Sequence, residues 1–256
     1  MSYVDLTRTL KEWSYDSERV SVRKILADDA SVKIQMRVEL GILQMEETGR
    51  PDGQRPYGFE SLLAYHRSRL DRHLERNGTT LGYALDAGAC DALRSEMSQY
   101  YRRYVAMFVL DEFEHVVRDT SHNLGVMDLC RDYAFAREDR RCLETFRPYV
   151  LMMNARAHAA NAIRVEDATS ALAHINRGMT HIRSHLTDLG QDRMAEPCEE
   201  LKLLEQLSRE LADVIPENSL LSTRKALMAA VKAERFEEAA KLRDTLEKLY
   251  QANGSR

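Results

Sequence analysis

Residues 220–249 read LLSTRKALMAAVKAERFEEAAKLRDTLEKL. The stretch contains two runs of helix-forming residues, and neither run contains a glycine or a proline. The runs meet at Glu234-Arg235-Phe236, and two small residues, Ala239 and Ala240, follow soon after. Small side chains let two helices approach each other closely. The sequence therefore predicts two short helices joined by a tight turn.

The apolar residues of this stretch recur at helical spacing. Phe236, Ala239 and Arg243 lie on one arc of the second helix, because side chains three and four positions apart share a face. Leu227 and Val231 lie four positions apart on the first helix. Two short helices bury one seam against each other and leave further apolar surface, and isolated short helices are marginal in water. We therefore expect the hairpin to dock on a partner protein or a second copy, or else on its own main domain.

The hairpin resembles the UVR motif, which is the helical hairpin shared by the UvrB and UvrC excision-repair subunits. The residues that carry the resemblance, in order and spacing, are Glu234, Phe236, Glu237, Ala239, Ala240, Leu242, Arg243 and Asp244. Related hairpins occur in a Clp-type ATPase and in the activator of a bacterial protein arginine kinase. The resemblance implies a protein-contact module in a bacterial protein. The residues expected to make the contact are Leu227, Val231, Phe236, Ala239, Ala240, Leu242, Arg243 and Leu246.

The charge of the chain disfavours direct binding to nucleic acid. Residues 217–256 carry nearly equal numbers of basic and acidic side chains, and the chain of 256 residues has a formal net charge of −4. A surface that neutralises phosphates needs a clear excess of lysine and arginine. We therefore expect no direct nucleic-acid contact, and a role as an accessory factor in DNA repair is an alternative suggested by the resemblance alone.

Composition indicates a cytoplasmic protein with a real core. Hydrophobic residues make up 44% of the chain, and its four cysteines, Cys90, Cys130, Cys142 and Cys198, form no C-x-x-C pair. Scattered cysteines without that spacing favour reduced thiols over a zinc ribbon or a redox motif. Residues 1–16 are polar and lack a signal-peptide core, and the longest apolar run, residues 104–110, is too short for a membrane span.

The N-terminal residues predict a short helix followed by a β-hairpin. Residues 5–14 favour a helix capped by Asp5. Apolar residues then alternate with polar ones from Val32 to Leu40, which is the pattern of a half-buried strand. Residues 20–25 are expected to pair with it, and Gly41 is expected to mark a bulge.

From Phe59 onward the chain predicts helix nearly throughout, with breaks at glycine, proline and polar clusters. An apolar stripe ends near Phe108, and a second, rotated stripe contains Phe113 and Val117. This rotation predicts two antiparallel helices with a turn near Leu110-Asp111, and Asp111 with Glu114 resembles a capping box. A second pair is predicted at residues 149–163 and 168–186. Both pairs resemble degenerate tetratricopeptide units.

The predicted fold class is mainly α. We expect a stack of helical hairpins with a small N-terminal β-hairpin and a C-terminal UVR-like hairpin. The predicted segments are residues 1–58, which contain the β structure and a loop, 59–215, the helical domain, and 217–256, the hairpin. The joint at residues 216–219 is the expected domain boundary.

The loop at residues 49–58 is the most site-like segment outside the hairpin. It contains three glycines and two prolines, and Arg50 and Arg55 flank a rigid turn. Turn amides and two guanidinium groups suit a carboxylate or a phosphate, so Arg50 and Arg55 are candidate anion-binding residues. The alternative is a structural loop whose arginines pair with Asp52, Glu46 or Glu47.

Other candidate sites are weaker. His174, His181 and His185 share one side of a predicted helix, but a solvated or interface role is favoured over a metal site. Glu112-x-x-His115 resembles half of a di-iron site without its second half. Tyr100 and Tyr104 favour a core role over base stacking. No phosphate-binding loop or nucleophile motif is present.

These observations predict a non-enzymatic cytoplasmic adaptor without catalytic residues, cofactors or a metal. Its expected partner is another protein or a second copy, bound through the C-terminal hairpin, with no membrane contact. The alternatives are an accessory factor of nucleotide-excision repair, and a ligand-binding protein or enzyme that uses the loop at residues 49–58.

Overall fold

The computed structural model describes residues 5–190, 198–214 and 220–253. The chain divides into two compact units, residues 1–157 and 158–256, and the division falls inside a long helix. The expected boundary at residues 216–219 lies outside the described residues.

The first unit begins with a helix and an antiparallel sheet. Helix α1 spans Thr7–Glu12, and the strands are β1 (Val22–Leu26), β2 (Val32–Val38) and β3 (Gly41–Glu46), in the order β1-β2-β3. The predicted short helix is present, but its cap is Leu6 and not Asp5, and no side chain caps it. The Asp5 carboxylate instead accepts a local hydrogen bond of 2.9 Å from the Thr7 amide. The predicted β-hairpin is confirmed as β1 and β2.

The third strand was not predicted, and the proposed bulge at Gly41 is wrong. Gly41 begins β3 and pairs with Val38, so the chain turns at Glu39 and Leu40. The alternating pattern of the sequence runs to Leu40, which is 88% exposed and belongs to the turn. Only two residues separate the strands, so the alternation continues through the turn without a break.

The sheet has one apolar face and one polar face. Ile34 and Met36 of β2 are buried together with Met45 of β3. On the other face, Arg23 donates to Gln35 at 2.8 Å, and Gln35 donates to Gln44 at 2.9 Å across all three strands. This side-chain ladder satisfies the polar groups of the exposed face.

The remaining elements are helical. They are α2 (Leu62–Asn77), α3 (Ala87–Val109), α4 (Phe113–Tyr133), α5 (Arg137–Arg141), α6 (Arg147–Arg164), α7 (Ala168–Asp188), α8 (Glu199–Val214), α9 (Leu220–Lys232) and α10 (Phe236–Asn253). Short 3-10 turns lie at Pro56–Gly58 and Glu144–Phe146. The predicted mainly α fold is confirmed, and both predicted helix pairs appear, as α3 with α4 and as α6 with α7.

Helices α2, α3 and α4 enclose the core of the first unit. Its deeply buried apolar residues include Leu85, Cys90, Leu93, Val126, Met127, Cys130 and Ala134. On α4 the buried face contains Val116, while Phe113 and Val117 are only half-buried. The apolar stripe read from the sequence is therefore offset from the buried face, because that face also contains polar residues.

Three helix pairs are joined by the same turn, in α3/α4, α6/α7 and α9/α10. In each, an acidic residue has a left-handed backbone: Asp111 (φ 59°), Glu166 (φ 58°) and Glu234 (φ 57°). The next amide then bonds back five residues, from Glu112 to Met107 for example, at 2.8 Å. This is the Schellman arrangement that usually places glycine at the left-handed position. The predicted turn near Leu110-Asp111 is confirmed. The capping box is wrong, because Asp111 lies in the turn after α3, and the N-cap of α4 is Glu112 without a side-chain cap bond.

The left-handed conformation of Glu234 makes a testable prediction. Glycine adopts a positive φ without the steric cost that a side chain imposes. We expect Glu234→Gly to stabilise the hairpin by about 0.5–1 kcal/mol, and the control Ala229→Gly inside α9 to destabilise it by about 1 kcal/mol. Thermal melting of the full chain by circular dichroism measures both, and a fall in Tm for both variants would contradict the prediction.

Candidate functional site

Helices α9 and α10 pack against each other through small side chains. Thr223 and Ala230 of α9 are buried, and so is Ala239 of α10. The backbone bond from Arg235 to Ala230, at 2.9 Å, closes the turn between the two helices. Small residues at the seam let the two backbones approach closely, as the sequence predicted.

The predicted interaction residues occupy different environments in the hairpin. Ala239 lies in the seam and is inaccessible to a partner. Three of the set are half-buried, namely Leu227, Leu242 and Leu246. The exposed ones are Val231, Phe236, Ala240 and Arg243. The part of the predicted surface open to a partner therefore extends from the turn along the first two turns of α10.

Three large apolar side chains are exposed near this turn, and we call them the turn patch: Met228 (68%), Val231 (53%) and Phe236 (69%). Met228 and Val231 are three positions apart on α9 and share a face. Phe236 is the first residue of α10. Met228 was not among the predicted contact residues, although its spacing to Val231 was a usable signal.

The charged residues of the second helix pair with their neighbours. Arg235 lies 2.9 Å from Glu238, and Arg243 lies 3.2 Å from Asp244. Both pairs are exposed, so each contributes little to stability. Their effect is to balance the charge near the turn patch.

The loop after β3 forms a tight, hydrogen-bonded turn. The Gly53 amide donates to the Arg50 carbonyl at 2.9 Å, and the Glu46 amide donates to the Pro51 carbonyl at 2.9 Å. The Gln54 amide donates to the Asp52 carboxylate at 3.0 Å. This geometry agrees with the rigid turn expected from the sequence.

The structure places Arg50 and Arg55 differently within this loop. The Arg50 side chain is mostly buried, and its Nε lies 3.3 Å from Asp52 and 3.4 Å from Glu96. Arg55 is exposed. Among the carboxylates predicted as structural partners of these arginines, Asp52 does pair with Arg50, whereas Glu46 pairs with Lys33.

A buried ion pair anchors this loop to the helices and was not predicted. Arg103 of α3 donates to both oxygens of Asp119 of α4, at 2.7 and 2.8 Å, and both side chains are fully buried. Arg103 also donates to the Glu46 carbonyl at 3.0 Å. Arg118 donates to Asp119 at 2.8 Å and to the Glu47 carbonyl at 3.0 Å. The pair therefore ties the end of β3 to α3 and α4.

Glu96 of α3 is a second buried ion with several partners. Its carboxylate accepts from the amides of Leu62 (2.7 Å) and Leu63 (3.1 Å), the first residues of α2. His122 approaches the carboxylate at 3.2 Å. Burial alone would raise the pKa of Glu96, but hydrogen bonds from His122 and from the two amides outweigh it and lower this pKa overall.

The other candidates from the sequence have local partners. Tyr100 and Tyr104 are buried, as the core interpretation expected, and burial raises the pKa of both phenols. The Tyr100 ring stacks on His122 with centroids 3.6 Å apart. His174 stacks on His158 at 4.7 Å, and burial is the main cause that lowers the pKa of both imidazoles. Within the described residues, no group of three or more His, Cys, Asp or Glu side chains is arranged to hold a metal ion.

Comparison with known families identifies one segment of the chain. Residues 217–252 match the UVR family, described as the UvrB/uvrC motif. This confirms the predicted UVR hairpin, and the match covers no other part of the chain. No curated protein and no solved structure matches the chain. The tetratricopeptide resemblance stays a prediction.

No helix in the described part of the chain combines the length and the apolar composition that crossing a bilayer requires.

Proposed function

We propose that this chain is a non-enzymatic cytoplasmic adaptor whose UVR hairpin binds a protein partner. The observation that carries the proposal is the turn patch, because three large apolar side chains are exposed on a hairpin that matches the UVR motif. Large exposed apolar side chains grouped near one turn of a small module favour a protein-binding site. The two helices pack against each other through the buried seam, which does not use the turn patch. The patch is therefore available to a partner.

The size of the expected interaction follows from the side chains involved. Burying a phenylalanine stabilises a complex by about 1.5–3 kcal/mol, which corresponds to roughly a ten- to hundredfold change in affinity. Met228 and Val231 supply further exposed apolar area on the neighbouring helix. Aromatic residues are also frequent among the few positions that dominate binding energy. Phe236 is therefore the expected anchor of the contact.

An accessory role in excision repair is the second candidate, and the match to the UvrB/uvrC motif favours it. In this role the hairpin still contacts protein rather than DNA. Its arginines at positions 235 and 243 are paired with acidic neighbours, which leaves little excess positive charge for phosphates.

Replacing Phe236 with aspartate tests the proposal. We expect Phe236→Asp to weaken association about tenfold or more, because it places a charge in an apolar contact. The fold should tolerate it, since an acidic residue is favourable in the first turn of a helix and Phe236 is exposed. Light scattering measures self-association, and affinity enrichment with the full chain measures a stable partner.

The control for this experiment is Thr245→Asp. Thr245 is exposed on the same helix, and the substitution changes the charge equally. We expect the control to retain association. If Phe236→Asp instead lowers Tm and leaves every association unchanged, the hairpin serves only its own chain and the adaptor proposal fails.

A further inference from the structure

The loop after β3 forms one wall of an open cleft of about 600 Å³ in the first unit. Its charged lining residues are Asp29, Lys33, Glu46, Arg50, Arg55 and Glu60. This volume lies within the range of about 300–1,000 Å³ that is usual for small-molecule sites. The cleft is therefore large enough for a metabolite, and its lining is strongly polar.

Arg50 has unused hydrogen-bonding capacity at this cleft. Its Nε is buried and makes no hydrogen bond, and no other hydrogen bond to its guanidinium occurs within residues 5–190, 198–214 and 220–253. The two nearby carboxylates, Asp52 and Glu96, approach only Nε, at 3.3 and 3.4 Å. A guanidinium has five N–H donors, and four of them are on its two terminal nitrogens. These four donors are available to an acceptor in the cleft.

Arg55 provides a second cation in the same cleft. Its side chain is exposed and makes no ion pair with the described part of the chain. Lys33 differs, because its ammonium is engaged by Glu46 at 2.5 Å. Two guanidinium groups therefore line the cleft. Arg55 has no ion pair within the described residues, and Arg50 is approached by Asp52 and Glu96 only at Nε.

We propose that this cleft binds a small metabolite with one carboxylate or phosphate group, whose oxygens accept hydrogen bonds from Arg50 and Arg55. The planar guanidinium fork matches both kinds of oxyanion. Asp29 and Glu60 also line the cleft. They repel polyanions and accept hydrogen bonds from hydroxyl or ammonium groups elsewhere on the ligand. The site is independent of the hairpin.

The test uses the full chain labelled with ¹⁵N and titrated with inorganic phosphate or with acetate, at an ionic strength held constant with sodium chloride. We expect saturable shifts of the Gly49 and Gly53 amide resonances. Arg55→Ala should weaken binding about tenfold or more. The control Arg19→Ala removes an exposed arginine that does not line the cleft, and it should bind like the wild type.

Arg50 also pairs with buried Glu96, so replacing Arg50 with alanine would destabilise the fold as well as remove a ligand contact. Arg50→Lys keeps the charge but loses the fork, and we expect it to fold and to bind more weakly. Saturation by phosphate alone assigns a phosphate ligand, and saturation by acetate alone assigns a carboxylate. The proposal is overturned if neither anion gives a saturable shift, or if Arg19→Ala loses as much affinity as Arg55→Ala.

Discussion

Asp119→Ala is expected to destabilise the first unit by about 3–5 kcal/mol, because it leaves Arg103 charged, buried and unpaired. Arg103 is fully inaccessible to solvent. The groups that remain beside it, the Glu46 carbonyl and the Tyr100 ring, are both neutral. Arg118 loses the same carboxylate but is partly exposed, so it can turn to water. Urea unfolding followed by circular dichroism measures the loss.

The matched control removes both charges. In the double variant Arg103→Met with Asp119→Leu, no buried ion is left, and apolar replacements of a buried pair are often neutral or stabilising. We expect this variant to recover most of the stability that Asp119→Ala loses. A single-variant loss below about 1 kcal/mol would contradict the prediction, because it would mean that water reaches Arg103.

The secondary structure of this chain was largely predictable because its signals are local. Helical spacing of apolar residues located α3, α4, α6 and α7, and a rotation of the stripe located the turn at Asp111. The third strand was missed for a local reason as well, since only a short turn separates β2 from β3. An alternating pattern does not record where a strand reverses direction.

The buried ions were less predictable because they interrupt the apolar pattern. Glu96 and Arg103 are seven positions apart on α3, in the same stripe as Leu93 and Tyr100. Charged residues at core positions were the signal that could have found them. Their partners come from α2, α4, the last residue of β3 and the loop after β3, so no local rule names them.

The sequence located the UVR hairpin and the turn at residues 49–58, because each is a continuous segment with its own residue pattern. The accessibility of their side chains depends on packing. Ala239 is buried while Phe236 is exposed, although both belong to one arc. Arg50 is mostly buried beside Glu96, which lies 46 positions along the chain. Contacts of this kind are absent from any local pattern.

Glu96→Ala is the second substitution with a large expected effect. The carboxylate is fully buried, accepts two backbone amides at the start of α2, and lies beside His122 and Arg50. Its removal leaves the two amides without their acceptor and Arg50 without a nearby negative charge, so we expect a loss of about 3–5 kcal/mol at neutral pH. Glu96→Gln keeps one acceptor oxygen and should lose less. Equal stability of wild type and both variants would contradict this role.

The pH dependence of stability separates the contribution of the Glu96 charge from that of its side-chain shape. Its folded-state pKa is lowered, so its ionisation contributes stability that is present above the unfolded pKa of about 4.3. That contribution is lost as the pH falls through the folded-state pKa, because the protonated acid no longer accepts from His122 and both amides. We expect the stability gap between wild type and Glu96→Gln to narrow as the pH falls below about 4. Urea unfolding of both proteins across this pH range measures the gap. A gap that stays constant would mean that ionisation of Glu96 does not contribute to stability.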